Sequence, residues 1–256
     1  MTTPSNGPIG NGSFPEPFAP RQTNSGLYVQ MHAAGFPPDA LRATQRAYRL
    51  ACRLFNGKYR KTERAFLCHA VGAASSVARF DGRLPYVLAA LLHAAYDSGQ
   101  FQDGRIGGAS RRHRAWLVAE IGAEVEAILF RYRRFQFETG QPERYARDGF
   151  VEADADLLLL GLCHEVDDLL DLGLRFARKY GDEIDLRVEA CAALAERLGK
   201  PELAQTLRAH GRLYRDSEWT AELQSATLAG FQIVPGFTGY LRHRYNRLRR
   251  RSTILS

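Results

Sequence analysis

Seven apolar residues in succession, Tyr86 to Leu92, follow Leu84-Pro85 and run up to His93. Proline is well tolerated in a first helical turn, so a helix is expected from Pro85 to about Tyr96. Its core is apolar nearly all round, leaving no face suited to water, and such a helix belongs in the middle of a structure with neighbours on several sides. A chain built around it needs other amphipathic elements to cover it.

The rest of the sequence supplies them at helical spacing. Pro37-Pro38 introduces a helix with Asp39 in its first turn, ending at Asn56-Gly57. A second is expected from about Thr62 to Phe80, stopped by Asp81-Gly82. Ser110 offers a cap for a helix through Ile121, and another follows from Ala123 to about Phe135. Residues 136 to 150 read as a loop. A long helix is expected from Glu152 to Tyr180, closed by Gly181, then helices over 183–198 and 201–214 and one from Asp216 or Ser217 to Ala229. Phe231 to Val234 is the sole strand candidate, which makes the fold class all-α. Residues 1 to 36 are rich in Pro, Gly, Ser, Thr and Asn and read as a disordered arm. A helical domain over 37–230 and a basic tail over 231–256 complete the expected organisation.

Composition narrows the class. The 256 residues suffice for one domain with a substantial core, and 45% apolar with 25% charged residues excludes wholesale disorder. No apolar stretch approaches the roughly 20 residues of a membrane-spanning helix. Cys52, Cys68, Cys163 and Cys191 are scattered without a CxxC pair, as expected of reduced thiols in a cytoplasmic protein, and no secretory signal is expected at the N-terminus. The net charge of +7 is local. Six arginines between Thr238 and Arg251 account for it, and without them 29 basic residues face 28 acidic ones. Phe237, Tyr240, Leu241, Tyr245 and Leu248 alternate with those arginines near helical spacing. The tail is either a solvated segment or an amphipathic one suited to an anionic membrane surface or to nucleic acid.

Three of the seven histidines sit inside helices with apolar surroundings: Phe66-Leu67-Cys68-His69, Leu91-Leu92-His93 and Leu162-Cys163-His164. Each alone is readily a satisfied core residue. Together they suggest more, because a helical bundle brings side chains of different helices to one point and neutral imidazole is a good ligand for divalent transition metals. Asp97 and Asp168 each follow a histidine by four residues, and Glu165 and Asp167 adjoin His164. These carboxylates read as ligands, as groups orienting an imidazole, as general bases, or as a solvated face and helix cap.

The helix bearing His69, the Asp81-Gly82 turn and the apolar helix ending Ala89-Ala90-Leu91-Leu92-His93 resemble the opening of the HD superfamily of metal-dependent phosphohydrolases. The resemblance spans about residues 40 to 180 and comes nearest the guanosine-tetraphosphate hydrolase branch. His93-Ala94-Ala95-Tyr96, a polar turn and Phe101 are more specifically similar to an uncharacterised HD-like family, domain of unknown function 6817. The resemblance implies an HD-like multi-helix bundle with His69 and His93 as metal ligands and His164 in place of the usual last aspartate. The aspartate expected after the second histidine is Ala94, so the site is a degenerate one. With fewer anionic ligands it should favour Zn or Fe and hold Mn or Mg less well. Asp97 or Glu165 is then the candidate catalytic base, and Tyr96 either hydrogen-bonds a substrate or packs as core. Two functions stay open: a metal-dependent phosphohydrolase acting on a nucleotide or other small phosphorylated compound, or an inactive HD-like module binding a small molecule or another protein.

Overall fold

The computed structural model describes residues 17–135, 137, 140–177, 183–218, 220–224 and 229–233. In chain order its helices are α1 (Asn24–Ala33), α2 (Pro38–Phe55), α3 (Phe66–Phe80), α4 (Leu84–Leu92), α5 (Ala95–Ser98), α6 (Arg111–Ile121), α7 (Ala123–Tyr132), α8 (Gln141–Asp148), α9 (Ala155–Asp168), α10 (Gly173–Phe176), α11 (Ile184–Arg197) and α12 (Pro201–Asp216). Two short strands, β1 (Lys58–Tyr59) and β2 (Phe231–Gln232), pair antiparallel. The fold is all-α apart from that ribbon.

Helix α4 occupies the centre, as its apolar run demands. Every residue from Tyr86 to Leu92 is buried, and the helix packs against α2, α3, α7 and α9. Fully burying a leucine or valine side chain contributes about 1.5–3 kcal/mol, so this one helix anchors much of the core. Its neighbour α3 is built differently. Ala70, Gly72, Ala73, Ala74, Ser75, Ser76 and Ala78 are all buried, and small side chains let the axes of α4 and α9 come close. Leu157 to Leu160 and Leu162 of α9 close the other side. Ser110 caps α6 as expected, its hydroxyl accepting from the His113 amide at 3.1 Å. All four cysteines are free thiols.

The structure departs from the sequence-based expectations at several places. Part of the segment expected to be disordered is ordered: Thr23 caps α1 through the Gly26 amide, and Leu27 and Met31, four apart, are fully buried. Two buried anchors suffice because other groups pin the segment, with the Arg21 amide donating to Ser75 Oγ (2.9 Å) and Gln30 Nε2 to the Ser75 carbonyl (2.8 Å). Residues 141–148, expected in a loop, form α8, whose apolar contacts are too few to leave a period. The expected long helix ends at Asp168. Asp171 and Leu172 adopt left-handed conformations (φ 54° and 56°), which break the helical ladder although the composition would carry it on. Among the described residues after Ser217 the helical structure is a single 3₁₀ turn at Ala221–Leu223, and residues 225–228 of the expected helix lie outside the described residues. The strand candidate at Phe231 pairs with Lys58–Tyr59, a partner too short to be visible as a strand. Among the described residues no helix is long and apolar enough to cross a membrane, and the basic tail from 236 onward lies outside the described residues.

Candidate metal centre

The three histidines with apolar helical surroundings come together. His69 lies in the first turn of α3, His93 caps the C-terminus of α4, and His164 sits one turn before the end of α9. Ring centroids are 5.0 Å apart for His69–His93, 4.6 Å for His69–His164 and 4.9 Å for His93–His164, and the rings stand 78° to 90° to one another. One nitrogen from each lies within 4.8 Å of the others. His69 and His93 are buried, and the His164 side chain keeps 18% of its surface open.

Hydrogen-bond partners constrain the protons. His93 Nδ1 is 2.8 Å from the carbonyl of Ala90, which can only accept, so Nδ1 carries the hydrogen and Nε2 a lone pair. His69 Nδ1 is 2.6 Å from Asp167 Oδ2, and both oxygens of that carboxylate already accept, from Arg64 and from Gln22 Nε2 (2.9 Å). Arg60 Nη1 (3.0 Å) and Arg64 Nη2 (3.5 Å) also approach His69 Nδ1 and can only donate, so the carboxylate and the two guanidiniums favour opposite tautomers. His69 Nε2 and His93 Nε2 face each other across 3.3 Å. With His69 Nδ1–H directed at Asp167, both Nε2 atoms present lone pairs that a cation between them would satisfy; with Nδ1 accepting from the arginines, His69 Nε2–H donates to His93 instead. Burial disfavours an added proton, holding His69 and His164 well below the usual imidazole pKa and lowering His93 as well; for His69 the Arg60 charge adds to it, while Asp168 pulls the other way. Two nitrogens at 2.0–2.1 Å from a shared tetrahedral centre are about 3.3–3.4 Å apart. The donor set fits a divalent cation.

A second layer fixes these rings. Asp167 and Asp168 close α9 and are both buried, Asp167 completely. Arg64 pairs with Asp167; Arg60 pairs with Asp168, its Nη2 reaching Oδ2 at 3.2 Å. Burial pushes the Asp167 carboxyl up, against the pull of Arg64. Burial also opposes ionisation of Asp168, yet Arg60 and the imidazoles hold it well below the usual carboxylate range. Gly72, one turn along α3 from His69, makes room for this arrangement. A Cβ there would overlap the Asp167 carboxylate, coming within 2.5 Å of its Cγ. Asp167 and Asp168 also lie near single histidines, in groups with His69 and with His164 and Glu165. Arginines already compensate all three carboxylates, so the open lone pairs of the imidazole group make it the stronger cation site.

The other residues singled out in the sequence have partners of their own. Glu165 is buried, and its two oxygens accept from Arg187 Nε and Nη2 at 2.7 Å each. Asp97 is exposed on α5 and ion-paired with Arg133 at 3.7 Å. Tyr96 is buried, and its hydroxyl donates to Glu126 Oε1 at 2.5 Å, with Arg114 bridging both oxygens of the same carboxylate. Asp167, read from the sequence chiefly as a solvated face, is interior. Gln22, Arg60 and Arg64 were not singled out, since an arginine or glutamine in a turn carries no periodic signal. Tyr132 of α7, with its ring 6.4 Å from that of His93, completes the surroundings. The domain is therefore mostly helical, with buried histidine and aspartate groups that could hold a metal. No protein-family model matches the sequence and no curated protein matches it, so the chemistry is read from this geometry alone.

Proposed function

We propose that the protein is an HD-like, metal-dependent phosphohydrolase acting on a nucleotide or other small phosphorylated compound. The observation that carries the reading is the convergence of three imidazoles, with the Nε2 atoms of His69 and His93 3.3 Å apart and His164 beside them. The order of elements supports it: one histidine opens a helix, the next ends an apolar helix, and a third lies near the end of a later one. An all-imidazole donor set suits Zn or Fe better than Mn or Mg. Once bound, such an ion supplies a water of lowered pKa.

Charge favours an anionic substrate. Asp167 and Asp168 are balanced by Arg64 and Arg60, and Glu165 by Arg187, so a divalent ion on neutral imidazoles is left without a local counter-charge. Asp167 fixes the tilt of His69. Of the two candidate bases, Glu165 has both oxygens held by Arg187, and Asp97 is exposed and ion-paired with Arg133. Tyr96 is retained as core by its bond to Glu126.

One observation favours the alternative, a non-catalytic HD-like binding module: each carboxylate adjoining the imidazoles is already committed to an arginine. Metal analysis of the purified protein and a phosphoester screen with added Zn²⁺, Fe²⁺ or Mn²⁺ separate the two. Turnover abolished in His93→Ala supports the hydrolase. Bound metal without turnover supports the binding module, and no metal under any loading removes both metal-based readings. For the basic tail we keep the proposal of an anionic membrane surface or nucleic acid, tested by vesicle co-sedimentation with and without residues 236–256.

A further inference from the structure

The β1–β2 ribbon stands over a cleft of about 390 Å³ that the imidazole group does not use. That volume lies within the range of small-molecule sites. Lys58, Lys61, Ser98 and Phe231 line it, and two further walls, Arg60 and Phe66, are shared with the metal centre. Arg60 reaches His69 and Asp168, and the Phe66 ring stands edge-on to His69 and over His93, with centroids 5.5 and 6.0 Å away. One end of the cleft therefore adjoins the histidines.

Lys58 is the residue that this fold leaves unexplained. It belongs to β1, only 8% of it is exposed, and its ammonium donates to the carbonyl of Ser98. An ammonium has three donors and a full charge. Among the described residues no carboxylate pairs with Lys58 or Lys61, and no acidic side chain lines the cleft. A buried cation with one neutral acceptor is costly unless something negative joins it. Burial lowers the Lys58 pKa, with no carboxylate opposing the shift. Arg60, the other cation in the cleft wall, is already paired with Asp168.

We propose that this cleft binds the phosphate group of a small phosphate ester, with Lys58 and Lys61 as its cationic contacts and Phe66 and Phe231 walling the organic part. That the ester is the substrate of the neighbouring histidine centre rests on the hydrolase reading; the anion site itself does not. The test uses inorganic phosphate titrated into the full chain and followed by ³¹P line broadening. Phosphate is expected to bind the native protein and to bind Lys58→Met about tenfold or more weakly, since hydrogen bonds to a charged group are lost. Lys61→Gln, at the more open edge, should weaken binding less and serves if Lys58→Met fails to fold by circular dichroism. The His69→Ala/His93→Ala protein should retain binding. Absent binding to the native protein, equal binding by both lysine variants, or binding lost only in the histidine variant overturns the proposal. Zinc content measured on the same samples keeps the two readings apart. Zinc without lysine-dependent phosphate binding sinks the cleft alone, and lysine-dependent binding without zinc sinks the hydrolase alone.

Discussion

Adding zinc to metal-free protein should raise its thermal unfolding midpoint, and His93→Ala should remove nearly all of that rise. A ligand at 100 times its dissociation constant stabilises the folded state by about 2.7 kcal/mol. In a domain of this size each kcal/mol moves the midpoint by about 2–4 °C, giving a rise of about 5–10 °C. His93 supplies one of three converging nitrogens, and its Nδ1 is committed to Ala90, so no other atom of the residue can substitute for Nε2. If truncation weakens binding about 100-fold, the lower end for losing a direct ligand when losing a supporting group costs 10- to 100-fold, the same zinc level stabilises by only about 0.4 kcal/mol. The midpoint then rises by about 1 °C. Differential scanning calorimetry with and without zinc, on both proteins, reads this directly. An equal zinc-induced rise in both proteins, or none in either, would refute the convergence argument on which the metal centre stands.

Two further outcomes follow from the same groups. The folded-state pKa values of His69, His93 and His164 lie below the unfolded value of about 6.5, so the unfolded chain takes up protons first as the pH falls. Stability of the metal-free protein should be complete above that pH and decline below it, by up to about 1.4 kcal/mol per pH unit for each imidazole or about 4 for three; urea unfolding at pH 7.0 and 5.5 measures it, and a slope unchanged in His69→Ala contradicts it. Gly72→Ala places a methyl group against the Asp167 carboxylate, and should cost about 1–3 kcal/mol by overpacking while weakening zinc about 10- to 100-fold through the loosened His69. Unchanged zinc affinity in a folded Gly72→Ala protein, measured by competition with a chelator, would show that Asp167 does not position the ring.

The parts of this molecule legible in the sequence are those governed by local rules. Helix α4 could be read because seven adjacent apolar residues leave no other solution, and the histidines stood out because each sits among apolar helical neighbours. Yet His113 and His210 are also helix-borne and buried, and they are structural: His113 is bonded through both nitrogens, to Gly108 and Asp103, and His210 donates to the carbonyl of Phe18. What separates the two kinds is a ring nitrogen left facing another imidazole, which only tertiary packing creates. The supporting residues were illegible for the same reason. Gln22 reaches Asp167 and Arg60 reaches Asp168 across more than a hundred residues, and Asp167 looked solvated only while α9 was expected to run on to Tyr180. Among the described residues three non-glycine residues hold left-handed backbone: Glu63 in the Arg60–Arg64 turn, and Asp171 and Leu172 just past Asp168. Each costs about 1–2 kcal/mol, against propensity that would favour ordinary helix or turn. Both strained segments flank the arginine–aspartate pairs beside His69. Local preference is overruled where the chain must bring two arginines to two buried carboxylates, and the cost is borne at the imidazole centre, where function would demand it.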